Sequence, residues 1–355
     1  MESIDTMIFI EQGPTILPSP IPHLLSPITL NGIKSYIMKF NPIELLHECI
    51  RFSPIPLSAR EIATCLNTII GYTGNYGISG INRNNFVIYG STDQKRRAAE
   101  IFGIGLSIGF VHSILNFSFN RIVQIPPRGQ LKRADYYCEK NNEILIYETK
   151  GTTNPNKVFE NLEAGQNKKD SHVDTDIPIK NINGEQYQIG KIAFSSFIPT
   201  EEYPFPCQMY VADPPIGNSK GIKVIKELGI EKIQFLDILD YCGYSKYISK
   251  FLRRWQGISY SYRSNDFIRE FKNDLNASFN YSLGDIIYRG RYIKLPQSNN
   301  QLSLFIGCNE EKLLSIGDFQ FELTAERRIP NQEIVEKSII DDDTILILFG
   351  RKTSK

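Results

Sequence analysis

The sequence predicts an α/β protein. A mixed sheet flanked by helices follows an N-terminal helical leader and precedes a C-terminal α+β region. Three observations predict this. A charged start at positions 93–97 leads into an almost wholly apolar stretch at 101–115. Short β-like runs then follow, with one segment of helical spacing among them, as far as Ala212. Beyond about residue 216 the pattern turns helical, and beyond about 283 it becomes β-rich. On this reading residues 1–92 are a Pro/Gly-rich leader with short helices, 93–256 the core, and 257–355 the C-terminal α+β region. The composition shift over about 256–283 marks the second boundary.

Each element has its own signal. Pro14, Pro18, Pro20, Pro22 and Pro27 exclude a helix over 12–28 and favour extended backbone. Positions 43–52 are apolar at helical spacing. Ser58 followed by Glu61 reads as a capping box for a helix over 59–70. Four glycines between 71 and 80 make a loop. A long helix over about 94–116 follows, then strands at 119–125, 133–138 and 144–150, with Asn141-Asn142 as the tight turn between the last two. Positions 156–169 read as helix, and 192–198 and 208–212 as strands. Later helices are expected at 220–228, 233–240, 245–255 and 266–275, and later strands at 285–295, 302–306, 319–323 and 344–349.

Composition bounds the function. The formal net charge is +1, from 40 basic and 39 acidic side chains, so any nucleic-acid surface must be a local patch. The six cysteines form no C-x-x-C pair and lie at no zinc-ligand spacing from the four histidines; free thiols in a cytoplasmic protein are expected. No basic start marks a secretory signal. The apolar stretch at 101–115 is shorter than the roughly 20 residues a bilayer needs, and it carries His112 and three glycines that suit close packing, so a core helix is expected rather than a membrane span.

The chemistry concentrates in Arg133-Ala134-Asp135-Tyr136-Tyr137-Cys138 and Ile144-Leu145-Ile146-Tyr147-Glu148-Thr149-Lys150-Gly151. Side chains alternate along a strand, so Glu148 and Lys150 share a face. A hairpin with its turn near 140–142 lays Asp135 back beside Glu148. Two carboxylates so placed repel unless a cation lies between them. Oxygen ligands alone favour Mg²⁺ or Mn²⁺ over zinc. Such a cation would polarise a phosphate oxygen and acidify water, while Lys150 would orient that water or offset transition-state charge.

Asp135 followed by Glu148-Thr149-Lys150 resembles the PD-(D/E)xK nuclease superfamily of restriction-endonuclease-like proteins over about residues 93–215, with Ala134 where the motif has proline. The resemblance implies a core of helix, three strands, helix and further strand, and Mg²⁺-dependent hydrolysis of DNA phosphodiesters, in restriction or antiviral defence. Asp135 and Glu148 would ligate the metal directly. By the same resemblance, Glu100 would be a ligand through water, and Gln166, with Lys168 and Lys169 beside it, a contact to phosphate. A homodimer or a partner protein of a defence system is implied as well.

Arg128, Lys132 and Arg133 precede Asp135 and are placed to meet a DNA backbone, or are simple loop charges. Lys246, Lys250 and Arg253 share a helical face beside Tyr247, Phe251 and Trp255; they read as a phosphate-tracking face or as a solvated face over a core stripe. The alternative to a nuclease is a non-catalytic nucleic-acid-binding or scaffold protein that keeps the fold. Retention of Asp135, Glu148 and Lys150 together argues against it.

Overall fold

A computed structural model describes residues 3–10, 24–30, 33–73, 86–125, 134–140, 143–171, 188–212, 230–255, 264–295, 302–316, 319, 321–324, 327–330, 332–341 and 343–350. The chain forms two compact units. The first comprises Met1–Pro54 and Glu61–Glu227, the second Ile55–Arg60 and Leu228–Lys355.

The first unit is built on an eight-stranded mixed sheet. In chain order its elements are β1 (Ile4–Ile10), β2 (Leu25–Leu30), β3 (Ile33–Phe40), α1 (Pro42–Arg51), α2 (Ala59–Thr73), α3 (Thr92–Ser113), β4 (Ile122–Gln124), β5 (Tyr136–Lys140), β6 (Glu143–Thr152), α4 (Val158–Ser171), β7 (Gln188–Phe197) and β8 (Gln208–Ala212). The strand order is β2-β3-β1-β8-β7-β6-β5-β4. β6 runs parallel to β7 and β1 parallel to β8, while the other neighbours are antiparallel. The β4-β5-β6 meander followed by α4 and a parallel β7 is the crossover that parallel pairing demands.

The expected N-terminal helical leader needs correction. Helices α1 and α2 are present, but residues 4–40 also supply three strands to the main sheet. Prolines had argued only for extended leader backbone. Pro27 in fact sits within β2, at the sheet edge, where its missing N–H costs no ladder bond on the open side. The expected strand at 119–125 begins instead as a 3₁₀ turn, Phe119–Arg121, and only Ile122–Gln124 pairs.

The apolar stretch is a core helix. In α3 every residue from Ile101 to Val111 is buried, and no helix among the described residues is long and apolar enough to cross a membrane. α3 is apolar on all sides because it lies between α1 and the sheet. α4 covers the other face of β6 and β7.

The second unit carries α5 (Ile230–Tyr241), α6 (Ile248–Trp255), α7 (Ser264–Ala277) and α8 (Glu310–Ile316), with a sheet ordered β12-β9-β10-β11-β14-β13. Its strands are β9 (Phe279–Leu283), β10 (Ile286–Lys294), β11 (Ser303–Asn309), β12 (Arg327–Arg328), β13 (Glu333–Ile340) and β14 (Thr344–Gly350). The expected strand at 319–323 is not formed: positions 319 and 321–323 lie outside any strand, and Phe319 instead packs its ring against Phe251 and Phe271. Buried Arg289 is held by Glu310 and by the carbonyls of Leu275 (3.1 Å) and Thr324 (3.0 Å), so its charge and its Nε and Nη1 donors are answered.

Candidate active site

β6 carries the charged residues because both its faces are covered. Leu145, Tyr147, Thr149 and Gly151 turn towards α3; Ile144, Ile146, Glu148 and Lys150 turn towards α4. On the α3 side the Thr149 hydroxyl donates to the Gly103 carbonyl at 3.0 Å. Gly151 lies against the backbone of α3, where an added Cβ would fall 1.7 Å from the Ala99 oxygen, so only glycine permits this approach. On the α4 side Gly165 sits over Glu148; a Cβ there would lie 3.3 Å from Glu148 Cγ and 3.2 Å from Ala193 Cβ. α4 thereby seals Glu148, which is 0% exposed.

The buried carboxylate has a counter-charge. Lys150 Nζ lies 2.8 Å from Glu148 Oε1, and 35% of the lysine side chain remains exposed. The pair thus runs from the interior to the surface along one face of one strand.

Asp135 stands immediately before β5. Tyr136 pairs with Tyr147, so the register would set Asp135 against Glu148. The Asp135 N–H donates instead to the Tyr147 carbonyl at 3.1 Å, a slip of one residue. The Thr149 N–H, lying between Glu148 and Lys150 in sequence, donates to Asp135 Oδ2 at 3.1 Å. A side-chain carboxylate therefore does at the strand end what a backbone carbonyl does elsewhere in the ladder. The Asp135 carbonyl accepts from Ile125 N–H at 2.9 Å, which fixes the residue from its other side.

Behind the site lies a buried polar group that sequence reading missed. Burial pushes the Tyr147 hydroxyl pKa well up, and Cys138, Tyr136, Asp135 and Glu48 add to it. Burial, then the charge of Glu44, pushes the Glu48 carboxyl well above the usual range. Glu48 is on α1, whose buried face includes His47, Glu48 and Arg51; no spacing rule separates such residues from a solvated polar face.

Gln166 is half-buried on α4 and directly follows Gly165, so the structure brings it to the neighbourhood of Glu148. Glu100 is exposed on α3, the helix on the opposite face, and its carboxylate engages Arg97 at 3.3 Å, which also binds Glu61 at 2.8 Å. Arg128, Lys132 and Arg133 lie outside the described residues, as does the Asn141-Asn142 turn, although β5 and β6 pair antiparallel from Lys140 and Glu143 onward.

Lys246, Lys250 and Arg253 belong to the second unit. Lys246 pairs with Asp274 (2.6 Å) and Glu270 (3.5 Å), and Lys250 with Glu270 (2.9 Å). Lys246 and Lys250 are thus already matched by carboxylates of α7, and the Arg253 side chain is exposed. The six cysteines are all free and buried.

Compared with protein-family models, with curated proteins and with solved structures, the chain matches none.

Asp135 and Glu148 offer only hard oxygen donors, which suits a small divalent cation. Among the described residues no group of three or more His, Cys, Asp or Glu is placed to hold an ion. Mg²⁺ sites that act on phosphates commonly use one or two carboxylates, with substrate and water completing the shell, so the donor pair fits that chemistry.

Proposed function

We propose that the chain is a metal-dependent nuclease that hydrolyses DNA phosphodiester bonds in a restriction or antiviral defence setting, in the manner of the PD-(D/E)xK proteins its motif resembles. The observation that carries the proposal is the Thr149 N–H to Asp135 Oδ2 bond, which ties Asp135 to the Glu148-Thr149-Lys150 segment. Asp135 and Glu148 are the residues that would hold Mg²⁺ or Mn²⁺. When bound, that cation would supply charge neutralisation at phosphate and activation of water.

The chain's own residues have separable parts in this reading. Asp135 is held by three backbone contacts, so its carboxylate is positioned before substrate arrives. Lys150 carries positive charge from buried Glu148 out to the surface, where it would offset charge developing on phosphate. Gln166 would contact a phosphate oxygen from α4. Glu100, engaged by Arg97, is left outside the set.

One observation favours a second reading. Glu148 is wholly buried and paired with Lys150, as it would be in a non-catalytic scaffold or nucleic-acid-binding protein that keeps the strand arrangement for stability. Incubation of the full chain with double-stranded DNA, single-stranded DNA and RNA, in Mg²⁺ or Mn²⁺ and again in EDTA, separates the two. Cleavage of DNA that requires metal and is lost in both Asp135→Asn and Lys150→Ala supports the nuclease. Binding without cleavage under every condition supports the scaffold.

A further inference from the structure

We propose that a polar cleft at the far end of the β5–β6 hairpin binds a small phosphate-bearing ligand of mononucleotide size. The cleft has a volume of about 510 Å³ and is lined by His112, Asn116, Ser118, Arg121, Glu139 and Lys140. Glu139 is four residues along β5 from Asp135. At ~3.3 Å per residue that is about 13 Å, so the cleft is separate from the Asp135–Glu148–Lys150 cluster and does not depend on the nuclease reading.

Among the described residues every lining group is polar, and several are held in place by neighbours. The His112 ring stacks on Phe119 with centroids 3.7 Å apart, and its Nδ1–H donates to the Phe117 carbonyl at 2.8 Å. This leaves Nε2 as the ring's second polar atom. Asn116 takes left-handed backbone (φ 61°) where α3 ends, and the Phe117 N–H turns back to the Val111 carbonyl at 3.3 Å. That turn is what delivers Asn116 and Ser118 to the cleft wall. Glu139 is clamped between the Tyr137 hydroxyl (2.9 Å) and Arg121 (3.4 Å). A wall pre-set in this way is what a binding site needs and a solvated surface does not.

Charge selects the ligand class. Among the described lining residues Arg121 and Lys140 give two cations against one carboxylate, and that carboxylate is already engaged by Arg121 and Tyr137. With Arg121 bridged to Glu139, one positive charge is in excess; a cationic ligand would be repelled by it, and a neutral sugar would leave it unanswered by the described lining. A phosphate monoester matches a guanidinium edge and an ammonium together, while the Ser118 hydroxyl donates to Asn120 Oδ1 at 3.0 Å. The volume falls in the ~300–1,000 Å³ range of small-molecule sites and is several-fold more than a bare oxyanion fills, which leaves room for a base and sugar beside Asn116 and His112.

Calorimetric titration of the full chain with adenosine 5′-monophosphate, guanosine 5′-monophosphate, adenosine and inorganic phosphate tests this. The expected result is saturable binding of at least one monophosphate, with adenosine and inorganic phosphate each at least tenfold weaker. Arg121→Ala with Lys140→Ala should weaken the monophosphate at least tenfold while the melting temperature holds. Arg121→Gln with Lys140→Gln, which keeps side-chain bulk, should do the same and guards against a folding defect in the alanine pair. Absence of saturable binding by either monophosphate up to millimolar concentration overturns the proposal. So does equal binding by nucleoside and nucleotide, or wild-type affinity in both double variants. Displacement of the bound monophosphate by a DNA oligonucleotide also overturns it, because the cleft would then be part of a nucleic-acid surface.

Discussion

The Thr149 N–H donates to Asp135 Oδ2 at 3.1 Å, across the point where the β5–β6 ladder slips by one residue. Asp135 is therefore both a structural acceptor and a candidate ligand, and the two parts can be pulled apart. Asp135→Asn keeps an oxygen for Thr149 and removes the charge; Asp135→Ala removes both. Thermal melts should show the alanine variant destabilised by about 1–3 kcal/mol relative to the asparagine one, the cost of a buried donor left without its acceptor. Metal-dependent cleavage should be lost in both. Equal stability of the two variants would show that the hydrogen bond contributes nothing.

Lys150→Ala leaves Glu148 buried without its lysine. Removing one partner of a buried ion pair costs about 3–5 kcal/mol, and the low end is expected because Lys150 is about a third exposed. Adding Glu148→Gln should recover most of the loss. Chemical denaturation of the two single variants and the double variant measures the coupling, and purely additive effects would contradict the pairing.

Metal choice gives a third test. With oxygen ligands alone, Mg²⁺ and Mn²⁺ should support cleavage, while Ca²⁺ should permit DNA binding with little turnover, since it is larger and activates water less. A gel assay run in parallel with a binding assay reads both. Robust cleavage in EDTA would count against any metal site here.

Two glycines make opposite predictions. Gly151→Ala drives a methyl into the Ala99 carbonyl of α3 and should destabilise by about 1–3 kcal/mol or more, lowering the melting temperature. Gly165→Ala meets Glu148 Cγ at 3.3 Å and gains about 1 kcal/mol of helix propensity. Stability should change little in that variant, while any cleavage activity should fall as α4 is pushed off Glu148. A stable, fully folded Gly151→Ala protein would show that α3 and β6 are less closely packed than described.

Glu48 sets a pH dependence. Burial raises the pKa of its carboxyl in the fold, whereas in the unfolded chain it ionises near the ordinary value of about 4.3. The unfolded state therefore holds fewer protons above that pH. Stability from this group is full below it and is lost as pH rises towards the folded pKa, with a slope of up to ~1.4 kcal/mol per pH unit. Glu48→Gln should show a flatter profile above the ordinary carboxylate range, and be more stable than wild type there. Parallel profiles for the two proteins would show that Glu48 is already ionised in the fold.

Elements with a long, strong period were legible in the sequence. The apolar run of α3 and the strand ending in Glu148 and Lys150 both appear within two or three residues of their expected limits. The pairing of β5 with β6 was legible because two apolar runs flank Asn141-Asn142, a dipeptide that signals a turn in sequence. β1 was not, because Met7 and Phe9 on its second face are apolar too, so Ile4, Thr6 and Ile8 give no clean alternation. The complete burial of Glu148 was not legible either, since it depends on Gly165 arriving from another element. Lys246 and Lys250 read as free cations because their partners, Glu270 and Asp274, lie 20 or more residues away on a different helix.

The edges of the main sheet have a consequence for self-association. An unpaired strand edge is a template on which a second chain can extend a sheet, the first step of uncontrolled β-aggregation. Here one edge is β2, interrupted by Pro27, and the other is β4, only three residues long. Among the described residues neither offers a continuous row of donors and acceptors. Copies of this chain that assemble should therefore do so through helices or loops, leaving this sheet at eight strands rather than growing it into a shared, continuous one.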